Sequence, residues 1–276
     1  MKTYISAGIG DMVCIDSMLS NEQKHSITEI FWACKFGKEL IPLFENNSYY
    51  PNIHNHHIIT ERAGIEAMKR IDQSACNFWH FRPDMSNNFK QGCELFNNPS
   101  FDFIIDAAAM FSSSDSTYHG SSFIDCAVEQ DVCWNIYDIR PKEYMIVHYP
   151  TSTRPRNDIA SISSSEWDNI KSIARSRQLK IVVITDSSEV APSDEYKILF
   201  KPPIKTLVSL VKYASFYIGC DSFCSILAVK ALEKDSILIK SHKSNIQQDI
   251  LTNTWQQKYF LPLTPQEISQ IYKNYI

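Results

Sequence analysis

Phe216-Tyr217-Ile218-Gly219-Cys220-Asp221-Ser222, continued by Phe223-Cys224-Ser225-Ile226-Leu227-Ala228-Val229-Lys230-Ala231-Leu232, decides how the rest of the chain is read. An apolar strand ends at a glycine, and Asp and Ser then open an amphipathic helix. Such a junction turns backbone N–H groups, a hydroxyl and the positive end of a helix dipole toward an anion. A second junction of this kind opens the chain, in Ile5-Ser6-Ala7-Gly8-Ile9-Gly10-Asp11-Met12-Val13. Gly8, Gly10 and Gly219 are three of only seven glycines, so the bends sit where strands give way to helices. One junction per half points to two nucleotide-type domains with a ligand between them.

The bulk composition agrees. A hydrophobic content of 44% with 21% charged residues describes a chain that buries a sizeable core. A formal charge of −4 gives no general attraction to nucleic acid or to an anionic membrane. No apolar run is long enough to span a bilayer, and Met1-Lys2-Thr3-Tyr4-Ile5 lacks a signal-peptide core, so a cytoplasmic protein without integral membrane association is expected. The eight cysteines form no Cys-x-x-Cys pair and read as reduced core thiols rather than a disulfide framework or a zinc site. His54-Asn55-His56-His57 has no carboxylate or cysteine at ligand spacing and reads as a polar turn into a strand at Ile58-Ile59.

The second half alternates strands and helices. Strands are expected at Glu143–Tyr149, Lys180–Thr185, Lys197–Phe200, Phe216–Gly219 and Ser236–Lys240. Helices are expected from Ser163 (with Glu166, a capping box) to about Arg177, over Ile204–Ala214, and from Ser222. The β-branched run Lys180–Thr185 is of the kind buried on both faces of a parallel sheet. In the first half, Thr3–Ala7, Glu29–Ala33, Asn77–Phe81 and Phe101–Asp106 read as strands, and Asp11–Leu19, Phe36–Phe44 and Ser121–Glu129 as helices. This is an α/β chain of doubly wound parallel sheets, with domains at 1–140 and 141–276 meeting near Arg140-Pro141. A last helix is expected from Thr264, with Pro265 at its first position and Glu267 at its third, packing on its own domain or crossing back to the first.

With both junctions placed, the chain resembles the heptosyltransferase-like (family 9) glycosyltransferases of the GT-B fold. Gly10-Asp11 follows the first strand as the family's Gly-Asp does. Ile218-Gly219-Cys220-Asp221-Ser222 and Leu227-Ala228 match the Ile-Gly-x-Asp-Ser-Gly-x-x-His-Leu-Ala pattern of its second domain. Tyr149-Pro150-Thr151-Ser152, the later Trp167 and Ser121-Ser122-Phe123-Ile124-Asp125 follow it too. Phe223 stands where the motif has its next glycine, and Ile226 where it has histidine. The resemblance implies two Rossmann-like domains facing across a cleft. It implies an inverting, metal-independent transfer of a sugar from a nucleotide-diphospho-sugar to an unidentified glycan or other hydroxyl acceptor, with no cofactor.

Read beside that resemblance, the site residues take these places. Asp11 is the candidate general base, since attack on an anomeric carbon needs the acceptor hydroxyl deprotonated as the bond forms. On spacing alone it serves equally as a helix-terminal charge, stabilising the dipole by about 0.3–1 kcal/mol. Gly219, Asp221 and Ser222 form the donor side, with Ser222 and the following amides on the diphosphate. Thr151, Ser152, Arg154 and Arg156 share a loop after a strand, and guanidinium forks suit phosphate; Lys201, before Pro202-Pro203, is a candidate of the same type. Gly8, Gly10, Asp106 and His119 are the acceptor-side candidates, with Gly120 and Asp125 nearby, His119 reading equally as a plain loop histidine and Asp125 as a helix-surface charge. Alternatives are a nucleotide-sugar epimerase of the same fold and an inactive nucleotide-sugar-binding protein. A dinucleotide oxidoreductase is the weakest, resting on Gly8-x-Gly10 and on Glu29 as a ribose-binding acid.

Overall fold

The computed structural model describes residues 2–5, 9–32, 36–58, 76–80, 104–106, 121–148, 164–185, 193–220, 222–233 and 236–240. For 76–80, 104–106 and some other positions, Asp11 and Cys220 among them, it describes the backbone alone. The chain divides into two compact units, Met1–Cys126 and Ala127–Ile276. The terminal helix expected from Thr264 lies outside the described residues.

In the first unit β1 (Lys2–Ile5), β2 (Glu29–Trp32), β3 (Asn55–Ile58), β4 (Cys76–His80) and β5 (Ile104–Asp106) form one parallel sheet in the order β3-β2-β1-β4-β5. Four helices accompany it: α1 (Ile9–Met18), α2 (Asn21–Ser26), α3 (Gly37–Phe44) and α4 (Ser122–Asp125). The helix α1 buries Met12, Val13, Ile15, Asp16 and Ser17, so it is covered on more than one side, as a helix without a clean polar face must be. Its Asp16 is fully buried and meets the Lys24 ammonium at 3.0 Å. The same carboxylate accepts hydrogen bonds from Tyr50 Oη (2.8 Å), Ser121 Oγ (2.9 Å), the Ser122 amide (2.7 Å) and Ser122 Oγ (2.5 Å). A buried carboxylate needs such partners to offset its desolvation, and here they come from three separate segments.

One expectation in this unit fails. Asn55-His56-His57-Ile58 is not a turn but β3, paired in parallel with β2 along its whole length. Aromatic neighbours make the polar residues good strand formers: Trp32 Nε1 donates to His56 Nδ1 at 3.2 Å, and the His57 ring stacks on Phe31 at 4.4 Å. Because β3 ends the sheet and packs only partly, its sequence carries little apolar alternation to announce it.

The second unit repeats the plan. Its strands β6 (Tyr144–His148), β7 (Lys180–Thr185), β8 (Tyr196–Phe200), β9 (Phe216–Cys220) and β10 (Ile237–Lys240) are all parallel, in the order β10-β9-β6-β7-β8. Counted within each unit, both sheets run 3-2-1-4-5, a doubly wound order of the Rossmann type. The strand pairs Met145/Val147, Ile181/Val183 and Phe216/Ile218 face α6 (Ser164–Ser176), which covers them with Ile170, Ile173 and Ala174. On the opposite face, Tyr144 donates its hydroxyl to the Leu210 carbonyl of α7 (Ile204–Tyr213), and α8 (Phe223–Ala231) packs beside α7. Burial on both faces explains the continuous β-branched runs.

Residues 127–140, placed in the first domain on sequence grounds, pack on the second unit. They hold a 3-10 turn (Glu129–Asp131) and α5 (Trp134–Tyr137). Thr206 Oγ1 donates to the Asp131 carbonyl at 2.8 Å, Lys212 Nζ to the Ala127 carbonyl at 2.7 Å, and the Trp134 ring lies against Tyr144 and Tyr213. Among the described cysteines, Cys126, Cys133 and Cys224 are free; Cys224 is in the core, whereas Cys133, expected there, is exposed.

Candidate functional site

A doubly wound sheet opens a crevice where successive connections leave in opposite directions, at the carboxyl ends of the strands. In the second unit that switch point lies between β6 and β9. His148 ends β6, Cys220 ends β9, and Ser222 is the N-cap of α8. Ser222 has extended backbone (φ −165°) and its hydroxyl accepts the Ser225 amide at 3.4 Å. Ser225 Oγ returns the bond by accepting the Ser222 amide at 2.8 Å. This reciprocal cap fixes the first turn, whose leading amides have no partner inside the helix.

Two residues not singled out in the sequence complete the corner. Nδ1 of His148 lies 3.1 Å from Ser222 Oγ and 3.5 Å from Tyr217 Oη. Burial disfavours the imidazolium and lowers the His148 pKa to about 4. Tyr217 and Gly219 are alternate residues of β9 and share a face, so the tyrosine ring lies along the strand over the glycine. A Cβ on Gly219 would stand 2.5 Å from Tyr217 Oη and 3.0 Å from His148 Cβ. The glycine therefore sits inside the strand and permits close approach rather than making a bend. Gly219→Ala is expected to displace Tyr217 and His148 and to cost about 1–3 kcal/mol. An unchanged denaturant midpoint would show that the corner tolerates the methyl group.

The depressed His148 pKa also has a sign for stability. The native state resists a proton that the unfolded chain accepts at about pH 6.5. This contribution is complete above that pH and is lost as pH falls toward 4. The second unit should lose up to roughly 3 kcal/mol over that interval. His148→Asn should flatten this part of the profile; urea midpoints falling equally in both proteins between pH 7 and 4 would refute it.

The remaining candidates fall as follows. Lys201 follows β8 with left-handed backbone (φ 44°), donates its amide to the Thr185 carbonyl at 2.9 Å and holds its ammonium over the Phe200 ring. The strand β8 is three positions from β9, about 14 Å at ordinary strand spacing, so Lys201 is not beside Ser222. In the first unit, Gly10 and Asp11 lie in the first turn of α1, at the carboxyl end of β1 where the switch point with β4 falls. Asp106 ends β5, two strands from β1. Asp125 is an exposed helix-end charge accepting from Tyr49 Oη at 3.3 Å. Gly8, His119, Gly120, Thr151, Ser152, Arg154, Arg156 and Asp221 lie outside the described residues. Phe223 and Ile226 are both partly buried on α8.

Glu29 opens β2, at the amino edge of the sheet, and pairs with His57 Nε2 at 3.1 Å. A ribose-binding acid stands at the carboxyl end, about 10 Å further along such a strand. This removes Glu29 as a support for the dinucleotide reading. Among the described residues, no three of His, Cys, Asp and Glu gather as a metal site, and no helix is long and apolar enough to cross a membrane.

Two doubly wound units in tandem define the GT-B fold, and comparison with solved structures finds the same class. The ADP-heptose lipopolysaccharide heptosyltransferase II of E. coli superposes with a TM-score of 0.57 at 9% identity, over 100% of this chain and 98% of that one. The E. coli heptosyltransferase WaaC, solved with ADP-2-deoxy-2-fluoro heptose, gives 0.57 at 11% identity over 100% of both chains. The UDP-GlcNAc 2-epimerase of Methanocaldococcus jannaschii gives 0.56 at 9% identity, over 99% of this chain and 92% of that one. No protein-family model and no curated protein sequence matches the chain.

Proposed function

We propose that this chain is a glycosyltransferase that moves a sugar from a nucleoside-diphospho-sugar to an acceptor hydroxyl. The observation that carries the reading is the capped N-terminus of α8 at the second switch point, within a fold shared with heptosyltransferases. The diphosphate is held by Ser222, by the first amides of α8 and by the Thr151–Arg156 loop, with Arg154 and Arg156 as its charge partners, while Asp221 accepts hydrogen bonds from the sugar hydroxyls. The helix end and the guanidinium groups stabilise the negative charge that develops as the sugar departs. Asp11 takes the acceptor proton and the displacement inverts the anomeric centre, without a metal. Gly8, Gly10, Asp106 and His119 belong to the acceptor side, and Lys201 to the outer reach of the donor side.

A binding screen by thermal shift tests the reading. ADP or UDP at about a hundred times its dissociation constant should stabilise the native state by about 2.7 kcal/mol. Absence of a shift with every nucleoside diphosphate would end it. The likeness to an epimerase supports a second reading, which uses the donor site without an acceptor. Release of free nucleoside diphosphate only when acceptor is added separates transferase from epimerase. Binding without either reaction would identify an inactive relative, which the replacements Phe223 and Ile226 fit.

A further inference from the structure

Ser222 can donate a hydrogen bond to a phosphate oxygen only if its single hydroxyl hydrogen is not given to another acceptor. A serine hydroxyl carries one O–H and two acceptor lone pairs. One lone pair takes the Ser225 amide, and the other faces Nδ1 of His148 at 3.1 Å. A neutral imidazole has a single N–H, so its tautomer decides what the serine has left. With the proton on Nε2, Nδ1 is an acceptor that competes with a ligand for the Ser222 hydrogen at 3.1 Å. With the proton on Nδ1, the histidine donates to Oγ and the serine O–H is directed outward.

We propose that His148 is a positioning residue of the anion site, donating from Nδ1 to Ser222 Oγ so that the Ser222 O–H is aimed at the diphosphate. The proposal rests on the reading of Ser222 as a diphosphate ligand. Several features converge on it. His148 and Ser222 are 74 residues apart and meet only because β6 and β9 pair at the switch point. Tyr217 closes over Gly219 and reaches the same Nδ1 at 3.5 Å, while His148 Cβ packs 3.0 Å from the space that Gly219 leaves open. Tyrosine, glycine and histidine thus pack together beside the helix cap. Burial keeps the ring uncharged at neutral pH. A cation in that place would be repelled by the positive end of α8.

Asparagine carries an amide nitrogen where histidine has Nδ1, glutamine carries it where histidine has Nε2, and leucine carries none. Calorimetric titration with ADP and UDP compares the wild type with Ser222→Ala, His148→Leu, His148→Asn and the double variant Ser222→Ala/His148→Leu. His148→Leu should weaken binding about 10-fold, as much as Ser222→Ala, because each removes the same charge-assisted bond. The double variant should bind no more weakly than either single one. His148→Asn should stay within about 3-fold of the wild type. His148→Leu binding like wild type beside a weakened Ser222→Ala overturns the proposal and leaves the Ser222 reading standing. Unweakened binding by Ser222→Ala, or no binding of either nucleotide by the wild type, overturns both. His148→Asn as weak as His148→Leu reduces His148 to packing and overturns the proposal. Should His148→Leu not fold, His148→Asn must bind more tightly than His148→Gln, and equal affinities overturn it.

Discussion

Replacing Asp16 with asparagine is expected to destabilise the first unit by about 3–5 kcal/mol, the largest stability effect anticipated in this chain. The reason is asymmetry. Wild-type Asp16 and Lys24 are both sealed from solvent and neutralise one another at 3.0 Å. An amide in place of the carboxylate leaves the Lys24 ammonium buried without a counter-charge, and the donors that face the new NH2 group instead of an oxygen must find other acceptors. The network links α1, α2, Tyr50 and the start of α4, so its loss should weaken several segments at once. A cooperative loss in the urea midpoint, with unchanged slope, is the expected reading. The double variant Asp16→Asn/Lys24→Met should recover much of the loss, because the buried ammonium is then gone while the amide oxygen still accepts hydrogen bonds. A midpoint for Asp16→Asn within about 0.5 kcal/mol of wild type would mean that the pair carries no net stability.

Nothing local in the sequence marks this pair. Lys24 lies in Asn21–Ser26, a six-residue polar stretch that passes for a loop; only Ser20 and Gln23, three apart, hint at the capping box that makes it a helix. Its burial depends on Tyr49 and Tyr50, whose rings lie 5.3 and 5.9 Å from the ammonium. The same division runs through the whole chain. Lys180–Thr185 is a strand residue for residue as read, because its β-branched side chains are buried on both faces. The doubly wound topology follows from such strands alternating with amphipathic helices. The edge strand β3 escaped notice, since an edge needs no apolar alternation and its histidines are held by Phe31 and Trp32 of β2. At the candidate site, Ser222 and Gly219 were legible because a cap and a glycine are local signals. His148 and Tyr217 were not. Strand pairing alone brings His148 to Ser222, and the reason for Gly219 is the ring two residues before it.

Asp11→Asn is expected to lower turnover about 10²–10⁴-fold while leaving ADP and UDP affinity and the folding transition nearly unchanged. The residue lies in the first turn of α1, after the central strand of its sheet, on the side of the strand ends where ligands of this topology bind. A carboxylate there can take a proton from an acceptor hydroxyl, and an amide of the same shape cannot. If Asp11 serves the helix dipole alone, the substitution costs about 0.3–1 kcal/mol of stability and leaves the rate intact. The two roles thus differ in which quantity moves, and acceptor-dependent release of nucleoside diphosphate distinguishes them. Asp16 supplies an internal control on the same helix. It lies five residues on, about 7.5 Å along the axis, and its substitution should reduce stability without selectively reducing rate. Two aspartates on one helix should then give opposite signatures, and the double variant should show both losses in full, as separated sites do. An Asp11→Asn protein that turns over at the wild-type rate would reduce this residue to a helix-terminal charge and require another base.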